Sequence, residues 1–196
     1  MMLEDYCVID LEMTGLNPKH HKILEVAAVR VRKKEIVSEC SMLIRQHQLL
    51  EEKITELTGI DQEMLAGAKE EDEVLDHFFG FLGEDILVGQ NVIFDYSFLK
   101  QAAINRKMSF ERKAADTLKI ARRCLPALEK RTLDALCGYY GIEIGHHHRA
   151  LDDAKATYLL YERLEKEFGA VQADVFEPKP LIYLSLIHIS EPTRRT

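Results

Sequence analysis

Residues 6–16 read YCVIDLEMTGL, and this stretch decides how the rest of the chain is interpreted. Its first half is a short apolar run rich in β-forming residues, which predicts a strand. Asp10 and Glu12 stand at the end of that strand, and because side chains alternate along a strand, both carboxylates should point to one face. Such a pair can supply oxygen ligands to divalent cations, although a solvent-facing polar pair at a strand end has the same pattern.

Strands and helices alternate along the chain after an initial hairpin. Strands are predicted at residues 6–11, 23–31, 36–44, 86–88 and 114–115. Helices are predicted before residue 59 and at residues 74–82, 95–103, 118–124, 133–140 and 150–168. This order predicts an α/β fold with a mixed five-stranded central sheet.

Composition narrows the class of protein. The 196 residues suit one domain, and the formal net charge of −7 argues against a chain that holds nucleic acid mainly by a basic surface. The charge does not exclude a site that recruits cations, since bound divalent ions present positive charge to phosphate. Residues 100–131 contain ten Lys or Arg and three acids, which is typical of either a phosphate-guiding patch or a solvated helical face.

The cysteines and the apolar runs indicate the compartment. The four cysteines, Cys7, Cys40, Cys124 and Cys137, have no CxxC spacing and are interpreted as reduced, mostly buried thiols. No basic leader precedes a long apolar stretch, and no apolar run is long enough for a membrane span. We therefore expect a cytoplasmic location and no membrane partner.

Asp95 is a third candidate ligand. It begins the predicted helix whose apolar face includes Phe98 and Leu99, so helical spacing puts its carboxylate in line with a buried stripe. A carboxylate in that position needs a partner, and a metal ion would provide one. The alternative is a first-turn acid that satisfies free backbone N–H groups and the helix dipole.

The last predicted helix offers a choice between two neighbouring acids. Asp153 lies on the apolar stripe that continues through Thr157, whereas Asp152 shares its face with Arg163 and is more easily solvated. A charge that faces the core is costly unless it is paired or bound to metal, so Asp153 is the better candidate ligand. His148 stands just before this helix, where a histidine suits the role of a general base.

Three motifs in this order resemble those of the DEDDh exonucleases. They are D-x-E-x-T-G-L at residues 10–16, N-x-x-F-D at 91–95 and H-R-A-x-x-D at 148–153. The resemblance covers about residues 6–168 and implies an RNase H-like fold with helices on both faces of the sheet. Within that superfamily the chain is similar to the proofreading epsilon subunit and the exonuclease domain of bacterial DNA polymerase III.

The resemblance implies an enzyme that hydrolyses single-stranded DNA from a free 3′ end, in proofreading or repair, with two Mg²⁺ or Mn²⁺ ions. It implies that these ions are held by Asp10, Glu12, Asp95 and Asp153 and that His148 activates the attacking water. It also implies contacts between the terminal nucleotide and five residues, Met13, Thr14, Leu57, Asn91 and Phe94. Roles in turns or in the core are the alternative for these five residues.

Two features leave the substrate and the role open. The first motif reads D-x-E-M-T-G-L, as in oligoribonucleases, so a 3′→5′ exoribonuclease is an alternative, although the second motif does not follow that family. Gln90 stands where many relatives have a histidine, which should alter hydrogen bonding near the cleft. A non-catalytic, polymerase-associated or nucleic-acid-binding module is the alternative from another class, and a DNA polymerase is the partner expected of a proofreading enzyme.

The sequence is expected to divide into three parts. These are an exonuclease domain at residues 1–170, an extension at 171–183 and a tail at 184–196. The tail begins LSLIHISEPTR, which resembles the in-frame translation of a transposon-type sequencing adapter. We therefore expect the tail not to be native and the natural C-terminus to be missing.

Overall fold

Six strands form the sheet of the computed structural model, which describes residues 2–145 and 149–183. In chain order they are β1 (Tyr6–Met13), β2 (Ile23–Arg32), β3 (Glu35–Leu43), β4 (Leu87–Gly89), β5 (Lys113–Asp116) and β6 (Lys179–Pro180). Their order across the sheet is β3-β2-β1-β4-β5-β6.

Seven α-helices accompany the sheet among the described residues. They are α1 (Glu52–Thr58), α2 (Gln62–Ala66), α3 (Glu71–Leu82), α4 (Ile93–Asn105), α5 (Thr117–Cys124), α6 (Leu133–Tyr140) and α7 (Ala150–Phe168). A single 3₁₀ turn follows at Ala173–Val175. The predictions for α5, α6 and α7 agree with these bounds to within one residue, because apolar spacing and Gly141 and Gly169 mark their ends.

The strand that carries the first motif lies in the interior of the sheet. It pairs antiparallel with β2 on one side and parallel with β4 on the other. The pairing with β2 shifts register between Glu12 and Met13, and Glu12 lies opposite Glu25. Register irregularities of this kind recur beside active sites because they re-aim side chains. Here the irregularity falls at the carboxyl end of β1, where the candidate ligands lie.

Side chains of β1 alternate between the two larger hydrophobic cores of the described residues, which lie on opposite faces of the sheet. Ile9 and Leu11 pack on the face covered by α3 and α4, whereas Val8 packs on the face covered by α5, α6 and α7. Asp10 and Glu12 share the parity of Val8. The strand therefore directs both carboxylates toward the face that α7 covers.

Three neighbouring strands end at the same edge of the sheet. Strands β1, β4 and β5 run parallel, so their carboxyl ends lie together. The ends of these strands and the turn that follows β4 carry Glu12, Asn91 and Asp116. In open α/β sheets ligands bind outside the carboxyl ends of the strands.

The sheet has six strands where five were predicted. The additional strand, β6, lies in the 171–183 extension and pairs antiparallel with β5. Phe176, in the same extension, is buried in the core beside α7. A two-residue edge strand that ends in proline has no apolar alternation to reveal it, so the sequence pattern could not predict it.

Two predictions on cysteines and membrane spans can be compared with the described residues. All four cysteines are free and buried, as predicted. Among residues 2–145 and 149–183, no helix has the length and apolarity that crossing a membrane requires.

Candidate metal centre and active site

Three carboxylates meet at the carboxyl end of β1. One oxygen each of Asp10, Glu12 and Asp153 lies within 4.8 Å of the other two. The first two come from β1, and Asp153 comes from the first turn of α7, which packs on the same face of the sheet. The structure thus brings together three of the predicted ligands, and it places Asp153 in the cluster in preference to its neighbour Asp152.

Asp95 approaches the same place from the opposite face of the sheet. It lies in the first turn of α4, is 6% exposed, and its Oδ1 accepts a hydrogen bond from the backbone N–H of Leu11 at 3.0 Å. Leu11 stands between Asp10 and Glu12, so this bond ties Asp95 to the strand that carries them. The negative charge of Asp95 helps to raise the pKa values of both acids.

Burial and mutual repulsion raise the pKa values of these acids. Burial, followed by the charges of Asp95 and Asp153, raises the pKa of Asp10 well above its ordinary range. Burial is also the main cause that raises the pKa of Glu12 to about 8 and that of Asp95 to about 7. Acids this close together in a partly buried site favour bound protons or cations over bare charges. Divalent ions that prefer carboxylate oxygens fit this donor set.

A comparison with protein families identifies the chain. Residues 7–161 match the family model described as "Exonuclease", which is well over half of the chain. The chain belongs to this exonuclease family. The resemblance drawn from the three sequence motifs is therefore confirmed.

Curated relatives of this exonuclease chain are large polymerases. The DNA polymerase III PolC-type of Clostridium perfringens is 39% identical over 192 residues, which cover 96% of this chain. The DNA polymerase III PolC-type of Latilactobacillus sakei is 40% identical over 165 residues, which cover 83% of this chain. The chain spans only 13% and 11% of the lengths of these two relatives.

Solved structures of exonucleases share the fold. Exonuclease X in complex with 5′ overhanging duplex DNA has a TM-score of 0.69 and 27% identity, with 88% of this chain and 99% of that chain covered. The E. coli ExoI–ssDNA complex has a TM-score of 0.77 and 20% identity over 87% of this chain and 42% of that one. The nuclease domain of 3′hExo, a DEDDh family member bound to rAMP, has a TM-score of 0.73 and 20% identity over 91% and 98%. The predicted RNase H-like fold is confirmed.

The raised pKa values predict that cations stabilise this exonuclease chain more strongly as the pH rises. Without cations, folded Glu12 and Asp95 retain protons that the unfolded chain has already released. Stability should therefore fall as the pH rises from the ordinary carboxyl range to the folded pKa of Glu12, about 8. Added Mn²⁺ should reverse that loss, since it replaces the protons.

Thermal unfolding with EDTA or Mn²⁺ at about pH 5, 7 and 9 measures this effect. The gain in Tm from Mn²⁺ should be smallest at the lowest pH and largest at the highest. The same series with Asp10→Asn should show a flatter dependence, because one of the interacting acids is gone. A gain in the unchanged protein that does not vary with pH would contradict the prediction.

The second motif forms a tight turn between β4 and α4. Asn91 has a positive φ of 58°, a conformation that asparagine tolerates, and its backbone N–H donates to Asp116 Oδ1 at 3.0 Å. The same oxygen of Asp116 accepts from the backbone N–H groups of Leu118 and Lys119, at 3.0 and 3.4 Å, and so caps α5. Asp116 therefore fixes the position of Asn91, a role that the sequence analysis missed.

Gln90, which stands where many relatives have a histidine, is held by two hydrogen bonds. Its Nε2 donates to the carbonyl of Arg131 at 2.9 Å, and its Oε1 accepts from the hydroxyl of Thr117. These bonds connect the end of β4 to the start of α5 and to the segment before α6. The glutamine thus has a structural role at the edge of the cleft.

The remaining predicted substrate residues occupy different environments. The hydroxyl oxygen of Thr14 accepts from the backbone N–H of Lys22 at 2.9 Å, so this side chain helps to close the β1–β2 loop. Leu57 is 54% exposed on the last turn of α1, whereas Met13 is half-buried and packs against the core beside α4. Phe94 is half-buried in the first turn of α4. The exposure of Leu57 argues against a role in core packing.

Two predicted features lie outside the described residues, and the predicted basic patch is modified by ion pairs in the fold. His148, the predicted general base, and the tail at 184–196 lie outside the described residues. The basic segment at 100–131 is partly neutralised by acids from outside it, because Arg106 pairs with Asp72 and Asp76 of α3. Its surplus of positive charge is thus smaller at the surface than its composition indicates.

Glu25 is a second residue of this region whose role the sequence analysis missed. It is 1% exposed near the start of β2, within a run of buried residues, and lies directly across from Glu12. Arg149, immediately before α7, forms an ion pair with it at 3.0 Å. The available signal was a single acid within ILEVAAVRV, since a buried charge requires a partner.

Proposed function

We propose that this chain is a metal-dependent 3′→5′ exonuclease that removes nucleotides from single-stranded DNA. The observation that carries the proposal is the convergence of Asp10, Glu12 and Asp153 within 4.8 Å, from a strand and a helix far apart in sequence. Asp95 adds a fourth carboxylate tied to the same strand by its bond to Leu11. Membership of the exonuclease family supports phosphodiester hydrolysis as the chemistry.

The proposed cofactors are two divalent ions, Mg²⁺ or Mn²⁺. Asp10, Glu12, Asp95 and Asp153 would hold them, since carboxylate oxygens are the ligands that these ions prefer. The raised pKa values of Asp10, Glu12 and Asp95 support this assignment, because they reflect the cost of leaving these acids ionised without a cation. Bound there, the ions would polarise the terminal phosphodiester and stabilise the charge on the attacking and leaving oxygens.

His148 is the proposed general base, on the basis of its position in the third motif. It would accept a proton as the oxygen of a water molecule forms a bond to phosphorus. The bond between phosphorus and the 3′ oxygen of the preceding nucleotide then breaks, and that oxygen takes up a proton. The products are a nucleoside 5′-monophosphate and a strand one nucleotide shorter.

The proposed contacts to the terminal nucleotide surround this centre. Met13 and Thr14 directly follow Glu12 at the end of β1, while Asn91 and Phe94 lie in the turn and first helical turn that lead to Asp95. Leu57 would contact the terminal base, which its exposure permits. We propose these five residues as the substrate contacts, with Thr14 and Asn91 also retaining the turn roles described above.

The names of the relatives support DNA as the substrate. The curated relatives above are DNA polymerases, and two of the solved structures above are complexes with duplex DNA and with single-stranded DNA. A proofreading role beside a polymerase is proposed on the same basis. An exoribonuclease is the second candidate, because the 3′hExo domain is bound to rAMP and the first motif resembles that of oligoribonucleases.

The test is digestion of matched 5′-labelled DNA and RNA strands, each with either a free or a phosphorylated 3′ end, in Mg²⁺ or Mn²⁺. We expect the DNA strand with a free 3′ hydroxyl to shorten one nucleotide at a time, and the blocked strand to remain intact. Faster digestion of RNA would favour the second candidate. Binding of the strands without any shortening would support the non-catalytic module and contradict the proposal.

A further inference from the structure

We infer that Glu25 is a positioning residue, which caps the start of α7 from the neighbouring strand and so holds Asp153 against Asp10 and Glu12. The inference rests on the proposed function for its activity readout. The contacts that carry it lie entirely within the described residues. Glu25 itself is not proposed to contact the substrate or a metal ion.

The carboxylate of Glu25 is fully engaged by hydrogen-bond donors. Its Oε1 accepts from Arg149 Nη2 at 3.0 Å and from the hydroxyl of Ser41 at 3.2 Å. Its Oε2 accepts from Arg149 Nε at 3.2 Å and from the backbone N–H of Ala150 at 3.2 Å. The two-point pair with the guanidinium fixes direction as well as distance.

These bonds supply what the amino terminus of α7 otherwise lacks. The residue that precedes α7, Arg149, makes no side-chain capping bond to the helix. The first N–H groups of a helix have no partner within the helix, and the N–H of Ala150 is one of them. Glu25 satisfies this group from β2, and a negative charge at a helix amino terminus is also favourable for the dipole.

The capped position leads directly to the metal centre. The carbonyl of Arg149 accepts from the backbone N–H of Asp153 at 3.1 Å, which is the first helical bond of α7. Asp153 thus lies one helical turn beyond Arg149, the residue that Glu25 binds. Glu25 also stands directly across from Glu12 in the β1–β2 pairing. Its position on β2 therefore relates the ligand on the strand, Glu12, to the ligand on the helix, Asp153.

A purely structural cap would not need this charge. A buried carboxylate beside other acids adds repulsion, which the guanidinium of Arg149 offsets. An uncharged residue could bond to Ala150 without that penalty. A bidentate acid–guanidinium pair fixes the orientation of the first turn of α7, which carries Asp153. Such control is useful at a catalytic site, since small displacements of a ligand are costly to activity.

The test compares Glu25→Gln with Glu39→Gln. Glu39 forms an ion pair with Lys155 at 2.8 Å, and this pair also links α7 to the sheet. Unlike Glu25, both of its side chains are partly exposed to solvent. We expect Glu25→Gln to lower kcat about 10–100-fold and to raise the Mn²⁺ concentration needed for half-maximal activity, with KM for DNA changed less than about threefold. Glu39→Gln should leave all three quantities within about twofold of wild type.

A second readout separates positioning from simple destabilisation. The gain in Tm on adding Mn²⁺ should be smaller in Glu25→Gln than in Glu39→Gln, even though both variants are folded in EDTA. This readout needs no catalysis, so it tests the inference even if wild type has no nuclease activity. That absence of activity would contradict only the proposed function. If Glu25→Gln does not fold, Arg149→Lys, which keeps the charge but loses the two-point geometry, gives the same comparison. Unchanged kcat and unchanged Mn²⁺ response in the folded variant would overturn the inference.

Discussion

Asp153→Asn should lower kcat for nucleotide release by about 100-fold or more while the protein stays folded. Loss of groups that merely support metal ligands typically costs 10–100-fold, and a direct ligand should cost at least the upper end of that range. The expectation follows from the position of Asp153 in the three-carboxylate cluster. Initial rates on 5′-labelled single-stranded DNA at saturating Mn²⁺ measure it, with circular dichroism to verify folding.

Asp152→Asn is the matched control for this prediction. The two acids are neighbours in the first turn of α7, so the same chemical change is made one residue away. Asp152 is not among the three carboxylates that come together in the described part of the chain. Its substitution should leave kcat within about threefold of wild type. Equal losses from both variants, or no loss from Asp153→Asn, would show that helical phase does not select the ligand.

Asp10→Asn should have two effects of opposite sign. It should remove activity, because Asp10 is one of the three clustered acids and a neutral amide is a poorer ligand. It should also stabilise the cation-free protein, because the charges of Asp95, Asp153 and Glu12 all act against the ionised form of Asp10. For a chain of this size, a relief of about 1 kcal/mol corresponds to about 2–4 °C in Tm.

The stabilisation should depend on pH in a defined direction. The difference in Tm between wild type and Asp10→Asn in EDTA should be smallest near pH 5, where Asp10, Glu12 and Asp95 are protonated in the folded protein. Near pH 9 the variant should unfold at the higher temperature, since folded wild type must either ionise Asp10 beside the other acids or keep a proton that the unfolded chain has released. The exposed acid Asp174 gives a control, and Asp174→Asn should leave Tm unchanged at both pH values. A variant that is less stable than wild type at high pH would contradict the account.

The parts of the site that could be predicted from sequence follow local periodicity. A period of two placed Asp10 and Glu12 together on one face of β1, and helical phase separated Asp153 from Asp152. Both arguments need only the spacing within one element. The spacing of apolar residues likewise gave the bounds of α5, α6 and α7 closely.

What could not be predicted depends on pairing between distant elements. The approach of Asp95 from the opposite face of the sheet requires the bond to Leu11, which joins residues far apart in the chain. The role of Glu25 depends on a strand register and on the packing of α7, neither of which the apolar pattern of β2 reveals. Strand β6 is defined by its pairing with the edge strand β5, which the local sequence pattern does not show.

The central claim is that clustered carboxylates make this chain a cation-dependent exonuclease. The most direct measurement is the rate at which wild type releases nucleotides from 3′-labelled single-stranded DNA as Mn²⁺ is added to EDTA-treated protein. We expect no release in EDTA, a saturable rise with Mn²⁺, and nucleoside 5′-monophosphates as the product. Release that persists in EDTA, or none at any concentration of Mn²⁺ or Mg²⁺, would contradict it.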